Sequence, residues 1–162
     1  MQSERAPNKL RGRRGFVVST DKRRLDRELI YEFLNGCYWA KGIPRKTVDR
    51  SIENSLCFGV YRGGKQVGFA HVISDFATYA YIGDVFIIEP FRGYGLGKLV
   101  MRSIMEHPDL QGLRRWGLVT RDAHGLYAQF GFQPVKSPER HMEIHDGAVY
   151  KRAAQRKLKA ES

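Results

Sequence analysis

Asp84-Val85-Phe86-Ile87-Ile88-Glu89-Pro90-Phe91-Arg92-Gly93-Tyr94-Gly95-Leu96-Gly97-Lys98 reads as a buried strand, a proline-marked bend and a glycine-dense helix start. The first N–H groups of a helix have no partner inside it and lie at the positive end of its dipole, so glycines there let an anion approach several of them. Arg92 and Lys98 add positive charge. The spacing decides which phosphate site this is. A dinucleotide fingerprint begun at Gly93 needs a glycine where Lys98 stands, and a P-loop ending in Gly97-Lys98 needs glycine at Arg92 and a hydroxyl at Leu99. What remains is Arg-x-x-Gly-x-Gly, matched at Arg92, Gly95 and Gly97.

The chain on either side alternates strands and helices. Phe16–Thr20 reads as a short strand, and Leu25, Leu29, Ile30, Phe33 and Leu34 recur at helical spacing. Pro44 sits where a helix can begin, with Val48, Ile52 and Leu56 as its stripe. Leu56–Tyr61 and Gln66–Ser74 are β-rich runs around Arg62-Gly63-Gly64-Lys65, a hairpin signal. Tyr79–Ile88 is apolar on nearly every residue, as a central strand is. Leu96, Leu99, Val100 and Ile104 line one face of the helix after the glycine loop, which Pro108 stops. Trp116–Thr120 is expected as a strand, Asp122 as the cap of a short helix through Tyr127 and Phe130, and Gly131 as its end. Phe132–Val135 is expected to be extended and His141–Ile144 to be a last strand. The order predicts one mixed α/β domain over residues 15–145.

Composition supports one core. The 162 residues, 42% of them hydrophobic and 28% charged, fit a single globular domain. The formal net charge of +11 is concentrated at the ends, with +4 in residues 1–14 and +3 in residues 145–162. These runs are expected to be a basic flexible leader (1–14) and a basic C-terminal tail (146–162), solvated rather than a recognition surface, and nucleic acid is disfavoured because no nucleic-acid motif accompanies them. Cys37 and Cys57 are too few for a disulfide framework or a zinc knuckle. No apolar run reaches the length of a membrane span and the basic start is not followed by the apolar stretch of a secretion signal, so a cytoplasmic location is expected.

A second signature follows the glycine loop. Trp116–Thr120 leads into Leu126-Tyr127-Ala128-Gln129-Phe130-Gly131-Phe132, a strand, a Tyr-bearing helix and an aromatic Gly-Phe stop. With Arg92–Gly97 before it, the chain resembles the GNAT superfamily of acetyl-CoA-dependent N-acetyltransferases over residues 56–135. The resemblance implies a central mixed sheet splayed around acetyl-CoA and flanked by helices. It implies that the loop Arg92, Gly93, Tyr94, Gly95, Leu96, Gly97 and Lys98 holds the coenzyme pyrophosphate, and that the pantetheine arm pairs with the backbone of Phe86, Ile87 and Ile88. It implies Tyr127 beside the departing thiolate as general acid. Many members place Asn seven residues before that Tyr, where this chain has Thr120, a further coenzyme-binding candidate.

An alkyl amine is mostly protonated at neutral pH, so acyl transfer to it needs a base. Asp84, an acid within an apolar strand and on the same face as Phe86 and Ile88, is the best placed, with His71, Asp75 and His124 in reserve. A buried acid paired with Arg or Tyr for structure is the competing reading of Asp84. His141, Glu143 and His145 alternate as three ligands on a strand face would, but no fourth is evident and no metal is expected. Tyr31, Tyr38, Trp39, Lys41–Pro44 and Phe76–Tyr81 are expected to form the acceptor side. The expected substrates are acetyl-CoA and a small amine or protein amino group. A non-catalytic acetyl-CoA sensor is the alternative, and homodimer formation is left open.

Overall fold

The computed structural model describes residues 9–11 and 13–162. Six strands form one sheet in sequence order: β1 (Lys9–Arg11), β2 (Phe16–Ser19), β3 (Leu56–Arg62), β4 (Lys65–Ser74), β5 (Tyr79–Ile87) and β6 (Arg115–Gly117). The first five are antiparallel to their neighbours, and β6 lies parallel to β5. Two helices, α1 (Arg27–Gly36) and α2 (Arg45–Glu53), precede β3, and α3 (Leu96–Met105) crosses between β5 and β6. A short α4 (His124–Ala128) and a longer α5 (Val149–Glu161) follow.

The sheet carries a core on each face. Ile30, Leu34, Val48 and Ile52 of α1 and α2 pack with Cys57, Phe69 and Phe86. On the other face Leu96, Leu99, Val100, Met101 and Ile104 of α3 pack with Phe58, Val60, Val72, Ala80 and Ile82. Burial of such side chains stabilises by roughly 1.5–3 kcal/mol each before entropy is counted. Helix α1 starts where it should: the Asp26 carboxylate accepts from Leu29 N–H at 3.0 Å, while Asp26 N–H donates to Gln66 Oε1. Arg27 reaches across to Asp49 at 3.2 Å and to Glu53, tying α1 to α2.

Strand β5 changes phase partway along. Phe69 pairs with Phe86 and His71 with Gly83, so one residue of β4 faces two of β5, Asp84 and Val85, in a β-bulge. Asp84 occupies the left-handed region with φ 51°. Before the bulge Ala80 and Ile82 face α3; after it Val85 and Ile87 do, and Phe86 turns to α1 and α2. The bulge is therefore what lets Asp84 share the α1–α2 side with Phe86, as the sequence predicts.

Several expectations for the C-terminal third are corrected. The strand expected at Trp116–Thr120 spans Arg115–Gly117, because its partner β5 is paired with it only as far as Tyr81. Asp122 does not cap α4: the position before the helix is Ala123, whose N–H donates to Thr120 Oγ1 at 3.0 Å. Phe132–Val135 and His141–Ile144 form no strand, and Met142 and Ile144 are fully exposed. At the termini, residues 9–11 of the expected leader pair with β2, and the expected basic tail is helical as α5, from which Tyr150 packs on the α1–α2 core.

Candidate active site

The parallel pairing of β5 and β6 runs through Tyr79–Arg115, Ala80–Trp116 and Tyr81–Gly117 and then stops, while β5 continues to Ile87. Beyond Tyr81 no strand among the described residues pairs with this edge of β5, which is open. Ile88 N–H donates to Val67 O at 2.9 Å, so it points toward β4. Alternation along the strand then turns the N–H and C=O groups of Val85 and Ile87 to the open edge, and those of Phe86 toward β4. Of the three residues expected to meet the pantetheine arm, Ile87 turns its backbone to that edge, while Ile88 N–H is bonded to Val67 O.

At the end of this opening lies the glycine loop. After a single turn at Glu89–Phe91, Gly93 (φ 85°) and Gly95 (φ 73°) take left-handed backbone that a β-branched residue adopts only under strain, and Gly95 is the N-cap of α3. Ile87, Phe91, Arg92, Gly97, Lys98 and Leu126 help to line a groove of about 250 Å³ along the loop. Leu96 buries its side chain in the core, leaving its backbone to the groove, and the Tyr94 ring turns away onto Phe16, 5.8 Å between centroids. Arg92 Nε donates to Ile87 O at 3.0 Å, which lays the guanidinium along the open edge of β5.

A second cavity of about 640 Å³ shares Ile87 and Arg92 with the first and is also lined by Phe33, Cys37, Tyr38, Trp39, Val85 and Asp122. Phe33 stacks on Phe86 at 3.8 Å, and Trp39 continues the aromatic wall. Trp39 Nε1–H donates to Asp84 Oδ1 at 3.0 Å. Asp84 Oδ2 lies 3.5 Å from Nε2 of His71, and its side chain remains 20% exposed, next to Val85 of the cavity wall. Burial holds His71 below the usual imidazole value, and the Asp84 charge partly opposes this. Arg121 stacks on Tyr38 at 3.8 Å, beside Asp122.

Tyr127, 8% exposed, packs its ring edge-on to Phe132. Burial pushes its phenol up, with Asp122 and then Tyr38 and Tyr81 adding to the shift, so the hydroxyl keeps its proton near neutrality and is available as a donor. The reserve acids and bases separate. Asp75 accepts from Thr78 Oγ1 and from the N–H groups of Ala77, Thr78 and Tyr79, a turn-capping role that holds its carboxyl far below the usual range. His124 is exposed at the start of α4, and only His71 meets Asp84. Thr120 Oγ1 accepts from Ala123 N–H just before α4. Ser55, against His71, and Tyr150, near enough for the Asp84 charge to raise its phenol further after burial, had no local signal in the sequence. Of the expected acceptor residues, Tyr38 and Trp39 line the cavity, while Tyr31 lies under Arg45 at 4.3 Å.

Among the described residues no group of three or more His, Cys, Asp or Glu side chains is placed to hold a metal ion, and no helix is long and apolar enough to cross a membrane.

A mixed sheet opened beside a glycine-built anion cradle defines the class to which the chain belongs, the acetyltransferase (GNAT) family, whose model matches residues 27–132. A relative in Gibberella zeae, named as an acetyltransferase candidate, is 29% identical over 137 residues, which are 70% of this chain and 76% of that one. A GNAT-family acetyltransferase candidate of Xanthomonas campestris pv. campestris has a solved structure with 51% identity and a TM-score of 0.82, over 83% of this chain and 96% of its own. An acetyltransferase candidate of Clostridium acetobutylicum, solved with acetyl-CoA, superposes with a TM-score of 0.58 over 86% of this chain and 95% of that one; at 15% identity the likeness is one of fold.

Proposed function

We propose that the chain transfers the acetyl group of acetyl-CoA to a primary amine by direct attack of the amine on the thioester. The observation that carries this reading is the adjacency of three parts: the loop of Arg92–Lys98, the open edge of β5 at Val85 and Ile87, and the Asp84 carboxylate, next to Val85 and bonded to Trp39 of the cavity wall. The loop offers helix N–H groups and two cations to a pyrophosphate. The open edge offers N–H and C=O groups that an amide-bearing arm satisfies as an added strand. The Clostridium neighbour with acetyl-CoA shares this fold.

With acetyl-CoA as the acyl donor, each residue has a definite task. An N–H on the open edge of β5 stabilises the oxyanion as the thioester carbonyl becomes tetrahedral. Asp84 takes the proton that the amine must lose, and Trp39 N–H, bonded to its other oxygen, fixes the carboxylate's direction. As the carbon–sulfur bond breaks, Tyr127 gives its proton to the departing thiolate. The aromatic wall of Phe33, Tyr38 and Trp39 suits an acceptor whose ammonium or ring packs on π faces.

The deciding experiment is release of free CoA thiol from acetyl-CoA with a panel of amines, amino acids and peptides, with acetylated products identified by mass. Amine-dependent thiol release is the expected result. Acetyl-CoA binding without turnover for any acceptor would make the protein a sensor, and failure of the folded protein to bind acetyl-CoA or CoA at millimolar concentration would overturn the reading altogether.

A further inference from the structure

Behind Asp84 lies a buried polar chain whose hydrogen-bond donors can be assigned. Ser55 Oγ donates to Ser51 O at 2.6 Å, and a carbonyl oxygen only accepts, so the hydroxyl's single proton is taken. His71 Nδ1, 3.3 Å from the same Oγ, must then be the donor in that contact. A neutral imidazole with its proton on Nδ1 has a bare Nε2, and Nε2 is the atom that faces Asp84 Oδ2 at 3.5 Å. Two acceptors face each other with room for one proton between them. The ring is 7% exposed and lies over Gly83, where a Cβ would come within 2.7 Å of Nε2.

Resting on the acetyl-transfer reading above, we propose that Ser55, His71 and Asp84 form one proton-accepting unit, in which Ser55 fixes the His71 tautomer and His71 Nε2 takes over the proton that Asp84 removes from the acceptor amine. The amine nitrogen gives its proton to Asp84 as its bond to the acetyl carbon forms. The proton passes to Nε2, so that the imidazole becomes an imidazolium and the carboxylate is regenerated beside it. After the amide product leaves, the proton returns through the carboxylate to solvent, and no electrons change hands. His71 and Ser55 are thus positioning residues, with Asp84 alone meeting the substrate. The groups facing the pair are Cys57 of β3, beside Ser55; Cys37, after α1; Tyr81 of β5; and Tyr150 of α5. All four are neutral near pH 7, their thiols and phenols pushed up chiefly by burial, so none supplies a counter-charge that would replace the shared proton.

Two measurements test the unit, one of them independent of turnover. Long-range 15N–1H correlation of the His71 ring in the full-length resting protein near pH 7.5 should show Nδ1 protonated and Nε2 bare; a proton resident on Nε2 overturns the proposal. In kinetics, His71→Asn keeps an N–H for Ser55 but removes the acceptor facing Asp84. It should lower kcat about 10- to 100-fold and move the acid limb of the pH profile to lower pH. An unmoved limb overturns proton sharing even if the rate falls. Ser55→Thr, which keeps the hydroxyl, should stay near wild type, while Ser55→Ala should lose about 3- to 10-fold in kcat and show mixed His71 tautomers. Equal rates for the two Ser55 variants would remove Ser55 from the unit. Absence of turnover with every amine defeats the acetyl-transfer reading and the relay with it, whereas the tautomer assignment stands or falls on the spectrum alone.

Discussion

The cradle at Gly93–Lys98 and the polar cluster around Asp84 lie on either side of one opening and are built from different materials. The cradle is almost wholly backbone: left-handed glycines, the first N–H groups of α3, and a strand edge left unpaired where β6 stops. The polar cluster is side chain, drawn from the segment after α1 (Trp39), the residue before β3 (Ser55), the middle of β4 (His71) and the bulge of β5 (Asp84). A backbone site tolerates changes of side chain but not of conformation, and a side-chain site behaves in the opposite way.

The contrast is tested most severely at Asp84. Asn accepts left-handed backbone nearly as well as Asp, so Asp84→Asn removes the proposed base without straining the bulge. It should lower kcat by about 10²- to 10⁴-fold and leave acetyl-CoA affinity, read by calorimetry, within about twofold. Joint loss of both would mean that the two sides are one mechanical unit. Tyr127→Phe should cost about 10- to 10³-fold in kcat with little change in affinity, because ring packing against Phe132 survives. An unchanged rate, with chemistry limiting, would assign Tyr127 to packing.

The cradle should show the reverse pattern. Gly95→Val meets no atom within 4 Å of its Cβ, so its effect is conformational: about 1–3 kcal/mol of backbone strain at the N-cap of α3, felt as lost acetyl-CoA affinity in a folded protein. Arg92→Ala leaves the backbone cradle intact and should weaken acetyl-CoA by about 1.5–3 kcal/mol, the range for a charge-assisted hydrogen bond, while hardly altering binding of shortened pantetheine thioesters that lack phosphate. Equal loss for both ligands would show that freeing Ile87 O disturbed the strand edge.

The smallest effect concerns stability. His71 is held below its unfolded value near 6.5 by burial, so the folded state binds its proton less readily than the unfolded chain. Its contribution is complete above about pH 6.5 and is lost as pH falls below that value. Thermal melts from pH 7 to 5 should therefore decline more steeply for wild type than for His71→Asn, and parallel curves would show that burial of His71 carries no linkage.

What could be read from the sequence follows the same division of materials. The glycine loop is contiguous, and its physics is local, so Arg92, Gly95 and Gly97 declare it without any tertiary information. The hairpin at Gly63-Gly64 and the buried stripe of α3 are local in the same sense. Asp84 stood out because an acid interrupts an apolar strand. Ser55 carries no such signal: it reaches His71 only because β3 pairs Cys57 with His71, a register that no short window encodes. The strand read at Trp116–Thr120 is cut short at Gly117, and the one read at His141–Ile144 does not form, for a related reason. β-rich composition makes a segment able to pair, but pairing needs a neighbour, and β5 supplies one only up to Tyr81. Along His141–Ile144 the alternation is present, with Met142 and Ile144 left in solvent.

The bulge at Asp84 and Val85 also acts as a counting device. Each residue of a strand flips the side of the next, so one additional residue reverses the parity of everything downstream. Shortening β5 by one residue at this point would relieve the left-handed backbone yet send Phe86 into the α3 core and Ile87 against Phe33, exchanging the two faces at the mouth of the cleft. Point substitution can therefore tune this strand, but insertion or deletion cannot, and an alignment that opens a gap between Gly83 and Phe86 describes a protein with its cleft turned inside out.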